Sequence, residues 1–343
     1  MKKSFYLIMA IVALSLIIAG CGNPVVPPVE QSNTNNLTKG SAINVPGDYS
    51  TIQAAIDRAV DGDTIFVHEG TYNESILIDG VDLSLIAVGD VTINNSSVTN
   101  KTINILNSIC KIDGFKVKGG MVGIYAREMV DVTIHNNMVF EYLKNGITIN
   151  LEPAIGHVYN NTIIGGGPIG YPHYAQNGIQ FGYGATGTIL KNTVEGNWYT
   201  GENWSACGIL IFEANDVTVQ GNSVKGSQTG IASEAWGWYF SSADGNKIVR
   251  NTINGAEWGI SVAAYAWTYT NSDVSVNNNK VVNNIVEADA GDTGVYVGTW
   301  NDGVTSFSAL ADNNKIIHNK ISGYDTEIDD YGIASKVHAN VLE

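Results

Sequence analysis

Four glutamates, Glu128, Glu152, Glu213 and Glu234, each fall three to five residues beyond the Ile of a Gly-Ile pair. A similar offset from a repeated phrase sets like side chains along one edge of a repeated structure. Two carboxylates about 5 Å apart serve a retaining glycosidase, and the same oxygens suit Ca²⁺. Glu213 and Glu234 stand in neighbouring repeats and are the pair expected to meet. His173, in the stretch YPHY, is the third candidate, because imidazole titrates near neutrality and acts as the general base of a lyase. Trp198, Tyr199, Trp204, Trp236, Trp238, Trp258 and Trp267 lie in or beside long Gly-rich and polar stretches around these groups. Large rings are uncommon in solvent loops. Either they form a platform on which sugar rings stack, or the loops fold back and pack them. The plainer account of the acids and His173 is a solvated acidic stripe and a loop histidine.

Two phrases recur and must build whatever positions these groups. An Asn followed by a small or polar residue and a β-branched one stands at Asn137, Asn161, Asn192, Asn222, Asn251, Asn279 and Asn319. Gly followed by Ile or Val stands at Gly123, Gly146, Gly178, Gly208, Gly230, Gly259, Gly294 and Gly332. Short alternating runs such as DVTIHN and DVTVQGN precede the Asn. Period-two runs of Val, Ile and Thr are strands with one buried face, and the stretches between them are too short and Gly-rich for helices. Strands that turn without a crossover helix stack coil upon coil, about 4.8 Å apart, as a parallel β-solenoid. In that frame Asn tolerates a left-handed bend and its amide bonds up the column, while Gly suits a corner before the next strand. Leucine-rich repeats lack the Ile/Val/Thr framework and variable coil length seen here, and propellers would show hairpin-linked blades.

The ends bound the compartment. Lys2 and Lys3, then the apolar run Phe5 to Ile18, then Ala19-Gly20-Cys21 form a signal segment, shorter than the roughly 20 residues of a spanning helix. The small pair before Cys21 resembles the lipobox of bacterial lipoproteins, which implies cleavage after residue 20 and a lipid anchor on Cys21. Residues 21–43 read as a Pro-, Asn- and Ser-rich tether and 44–343 as one repeat domain. The net charge is −15, and loss of Lys2 and Lys3 takes it to −17. Such acidity argues against nucleic acid or an anionic bilayer as direct partners, and a bridging Ca²⁺ is expected if the ligand is itself acidic. Cys110 and Cys207 sit in separate apolar runs and are expected as buried free thiols. A monomer is expected.

These features resemble the right-handed parallel β-helix, or pectate-lyase-like, superfamily over residues 44 to about 338. The most recognisable piece is INVPGDYSTIQAAIDRAVDGDTIFVHEGTYNESILI. In it Ser50 and Gln53 read as a capping box, and Ile52, Ala55, Ile56, Ala59 and Val60 form the stripe of a short helix which, in this fold, covers the first coil. GTYNE, Gly70 to Glu74, is shared across several β-helix families and locates the fold rather than an activity. The motifs of polygalacturonases, pectin methylesterases and pectate lyases are otherwise absent, and Tyr171-Pro172-His173-Tyr174 only faintly resembles the Pro-His element of alginate epimerases, without their flanking Asp. The resemblance implies a polysaccharide bound, and cleaved by hydrolysis or β-elimination, on the lateral face. A non-catalytic adhesin or glycan scaffold is the alternative. A role in metal-enzyme maturation, as in the periplasmic β-helix factors, fits poorly with so few Cys, His and Met.

Overall fold

The computed structural model describes residues 40–170, 174–202, 205–268, 272–303 and 307–343. Residues 1–39, among them Cys21 and the signal segment, lie outside them, as do His173 and Trp204. The first strand, Ala42–Val45, already begins inside the segment expected to be tether.

Successive strands pair in parallel with the strand one coil on, in three stacks, each called a sheet below, that long strands join into one 29-stranded whole. The first sheet holds the Gly-Ile strands, from Val122–Arg127 through Asn145–Asn150, Asn177–Gly182, Cys207–Phe212 and Thr229–Ala235 to Trp258–Ala266. The second holds the runs before each Asn, such as Asp131–His135, Thr218–Gln220 and Lys247–Val249. The third holds the runs after it, such as Met138–Phe140 and Ser223–Lys225. Alternate residues point inward, so Ile147, Ile179, Ile209, Ile231 and Ile260 stack in one buried column. Each such side chain contributes about 1.5–3 kcal/mol by leaving water.

The recurring Asn forms a ladder, buried from Asn137 through Asn161, Asn192, Asn222, Asn251 and Asn284 to Asn319 and closed by the half-buried Asn340. From Asn161 onward each Oδ1 accepts both the backbone N–H and the Nδ2–H of the Asn one coil back, as at Asn222 Oδ1 from Asn192 (2.8 and 3.0 Å), while Asn137 Oδ1 accepts from Phe115 N. Asn279 belongs to a second column, Asn246–Asn279–Asn314, and Asn284 takes its expected place. The left-handed bend falls one residue earlier, at Asn136, Asn160, Lys191, Arg250, Asn283 and His318. The ladder Asn is therefore kept for its hydrogen bonds, since a buried amide needs its partners.

The Gly of Gly-Ile is not a corner residue either. At Gly146, Gly178, Gly208, Gly230 and Gly259 a Cβ would stand 2.3–2.7 Å from the next coil's Gly carbonyl oxygen and equally close to a core Val or Ile methyl. No side chain fits between the stacked coils there. Gly332-Ile333 lies outside the column, which continues from Val295 to Ile328, and Ile333 is exposed.

The helix Ile52–Ile56 is capped by Thr51 Oγ1, which accepts from Ala54 N, and not by Ser50. Gln53 bonds forward to Asp57 and across to Leu77 instead of closing a box. Glu74, the last residue of GTYNE, supplies what the box was expected to give: its oxygens accept from Ile52 N and Gln53 N, both at 2.9 Å, satisfying helix donors that have no intrahelical partner. Ile52, Ala55 and Ile56 are buried, whereas Val60 is exposed.

Candidate functional site

Counting from the Ile of each Gly-Ile pair sorts the glutamates by parity. The third residue on points out of the first sheet, and the register stacks Arg127, Asn150, Gly182, Phe212, Glu234 and Ala263 in that column. The fourth residue is the bend, where Glu128, Leu151, Tyr183 and Glu213 all have positive φ. The fifth, Glu152, is exposed beyond the strand. Glu213 and Glu234 are thus out of step by one residue, so the register does not set them as a facing pair.

Glu213 is fully buried, and its carboxylate accepts three backbone hydrogen bonds, from Trp238 N (2.6 Å), Tyr239 N (2.9 Å) and Phe240 N (3.0 Å). Its work is to hold the loop that follows Ala235. That loop in turn brings Trp236 beside Glu234, whose Oε2 accepts from Trp236 Nε1 at 3.1 Å. Part of the residue's surface stays open, yet the carboxyl end is enclosed. Burial pushes its pKa up to about 7, against the lowering pull of Trp236 and Ser261. Burial also raises the Cys207 thiol and the Tyr265 hydroxyl, with the Glu234 charge adding to both. Cys207 is a buried free thiol, as is Cys110, but it lies outside the solenoid core.

The aromatic residues form a connected wall around this carboxyl. Trp236 lies 4.9 Å from Tyr265, 5.5 Å from Trp238, 5.6 Å from Trp267 and 6.1 Å from Phe212, between ring centroids. Trp267 packs on Trp300 at 4.2 Å, and Tyr183 meets Phe212 and Tyr239. Packing and display coexist: Phe212 is buried, whereas Trp238, Tyr239 and Trp300 are exposed. Trp258 belongs to a separate group with Tyr296 (5.9 Å) and Tyr331. Tyr199 is buried, and Trp198 pairs on the third sheet opposite Pro168. Neither joins the wall.

On the other side of Phe212 the outer face is lined by carboxamides. Gln180 Oε1 accepts from Asn145 Nδ2 (3.0 Å) and Asn177 Nδ2 (3.2 Å), and Gln180 Nε2 donates to Asn150 Oδ1 (3.2 Å). Asn145 Oδ1 is buried without a partner. All four amides are nearly buried and hydrogen-bond to one another along the row. These amides, with Phe212 and Tyr183, are absent from the sequence expectations, although Gln180, Asn150 and Phe212 stand at the first or third residue after a Gly-Ile pair, where side chains point outward. A depression of about 520 Å³ lies elsewhere, among Asp63, Asp82, Lys111, Asp131 and His157 at the N-terminal coils, and no Trp, Tyr or Phe lines it. Among the described residues no three His, Cys, Asp or Glu side chains gather as a metal site.

A family model described as a right handed beta helix region matches residues 173–321. A double mutant of the periplasmic alginate epimerase AlgG aligns at 13% identity with a TM-score of 0.50, covering 88% of this chain and 84% of that one. This chain folds as a right-handed parallel β-helix. Another AlgG variant gives the same TM-score and identity over 82% and 77% of the two chains. Over 99 residues the β-helix is 36% identical to a cell surface glycoprotein of Methanothermus fervidus, covering 28% of this chain and 16% of that protein. Over 71 residues it is 35% identical to a pectinesterase of Aspergillus niger, covering 20% of this chain and 21% of that enzyme. Both stretches are small parts of the relatives they match.

Proposed function

We propose that this β-helix is a cell-envelope protein, lipid-anchored at Cys21, that binds a polysaccharide along the outer face of its first sheet and cleaves it by hydrolysis or β-elimination. The observation that carries the reading is Glu234: an enclosed carboxyl with its pKa at about 7, between a wall of aromatic rings and a row of carboxamides. A carboxyl that holds its proton close to neutral pH can pass it to a glycosidic oxygen or take one from a sugar carbon. The rings supply stacking. The cell surface and periplasmic descriptions of the similar proteins support the envelope location.

One observation favours a second reading, a non-catalytic adhesin or glycan scaffold. Glu213, the expected partner of Glu234, is committed to three backbone N–H groups, so Glu234 lacks that second acid–base group. Release of reducing ends from a panel of acidic and neutral polysaccharides, with Ca²⁺ and with chelator, separates the two. Release lost in Glu234→Gln supports the enzyme, and loss in His173→Ala would assign His173 as the base. Chelator sensitivity would add Ca²⁺. No release, with a glycan still retained on an affinity gel and lost in Trp236→Ala, supports the scaffold.

A further inference from the structure

The second sheet carries a feature that the Glu234 site does not use. Its register stacks Lys247, Lys280, Lys315 and Lys336 directly over one another on four successive coils, all pointing outward. Neighbouring strands in such a stack are about 4.8 Å apart. Three of the four are exposed and Lys315 is half-buried. Like charges set directly opposite on adjacent strands repel and destabilise the sheet.

Acids were available to relieve that repulsion, since the chain has 33 Asp and Glu against 18 Lys and Arg. Lys111, Lys116, Lys118, Arg127 and Lys320 each sit against a carboxylate. None of the four stacked lysines does so among the described residues. The column running back through Thr218, Thr188, His157, Thr133 and Lys111 to Ser84 contains no carboxylate at all. The aspartates in the turns before it are engaged elsewhere: Asp244 with Asn277 N and Ser275 Oγ, Asp312 with Ile333 N. Two residues along each strand, Val249, Val282 and Ile317 form a half-buried apolar stripe parallel to the lysines.

We propose that this face is a docking track for a linear polyanion, an acidic polysaccharide with one carboxylate on each successive sugar. A single file of charges along the solenoid axis matches a rod-like ligand whose charges repeat at about the coil spacing, with the apolar stripe against its ring faces. A membrane would be met by a broad basic patch, whereas these lysines form a single file one residue wide. The track lies on a different sheet from Glu234, so it stands or falls separately from the activity proposed there.

The test titrates the full chain with polygalacturonate at low and high salt. Binding is expected to weaken with salt, because exposed charges are screened. It should fall about fivefold for each lysine replaced by Gln and several-hundredfold for all four, by analogy with lysines beside an anionic surface. A control with the same change in net charge, Lys116→Gln, Lys118→Gln, Lys191→Gln and Lys225→Gln, should bind as the parent does, and Arg at the four stacked positions should retain binding. A thermal midpoint at or above the parent's in the four-Gln variant would confirm that it folds, since the change removes like-charge repulsion. Equal loss in the control, no loss in the four-Gln variant, or no polygalacturonate binding by the parent would overturn the proposal. So would capture by phosphatidylglycerol vesicles in place of polygalacturonate. Binding lost in Trp236→Ala but kept in the four-Gln variant would overturn the track and leave the first-sheet reading intact.

Discussion

Replacing Glu234 by Gln should make the β-helix more stable at alkaline pH relative to the parent, and by an amount that depends on pH. The carboxyl is pushed from 4.5 up to about 7 in the folded chain, chiefly by burial. Between those values the folded chain holds a proton that the unfolded chain has released, so stability falls as pH rises. Each unit is worth about 1.4 kcal/mol, which gives a loss of about 3 kcal/mol complete above pH 7. Glu234 as a residue is half-buried rather than fully buried, which makes that figure a ceiling. Gln keeps an acceptor oxygen for Trp236 Nε1 and does not ionise, so its cost in packing is the same at every pH. Urea unfolding of both proteins from pH 4 to pH 8.5 measures the effect. The difference in stability should be flat below about pH 4.5, tilt toward Gln between pH 4.5 and 7, and level off above. A difference that stays flat throughout would show that the carboxyl is solvated, and the proton-transfer role would lose its basis.

Three further substitutions test the scaffold around that carboxyl. Glu213→Gln leaves one acceptor oxygen where three backbone N–H groups converge; it should cost about 2–3 kcal/mol and speed proteolysis near Trp238–Phe240. Asn222→Ala removes the acceptor of both Asn192 N and Asn192 Nδ2 and the donor to Asn251, and loss of about 3 kcal/mol should appear with faster amide exchange in the adjoining coils. Gly208→Ala sets a Cβ 2.3 Å from Val224 Cγ1 and 2.7 Å from the Gly230 carbonyl oxygen; overpacking of about 1–3 kcal/mol should lower the thermal midpoint.

Much of the architecture is legible in the chain alone. The alternating runs, the repeated Asn and the Gly-Ile pairs each act over a few residues, and the same local rule applied in every coil leaves a stacked solenoid as the arrangement that buries one face of every strand. The capping helix is legible for the same reason, through Ile52, Ala55 and Ile56. The cap itself falls one residue later than expected, at Thr51, and no box closes because Glu74, 22 residues away, takes the donors of Ile52 and Gln53. Parity from each Ile also separates Glu234 from Glu213 once the strand is accepted.

What each group does was settled by coil-to-coil register and loop packing. Ladder intervals vary from 21 to 35 residues, so no fixed repeat length says that Asn284 rather than Asn279 continues the column, or that four lysines fall in file. Glu213 serves the loop because Trp238, Tyr239 and Phe240 return to it from 25 to 27 residues on. Glu234 is enclosed because that same loop lays Trp236 across it. Side-chain direction follows from neighbours along the chain, whereas burial and hydrogen-bond partners depend on segments that meet only after the coils have stacked.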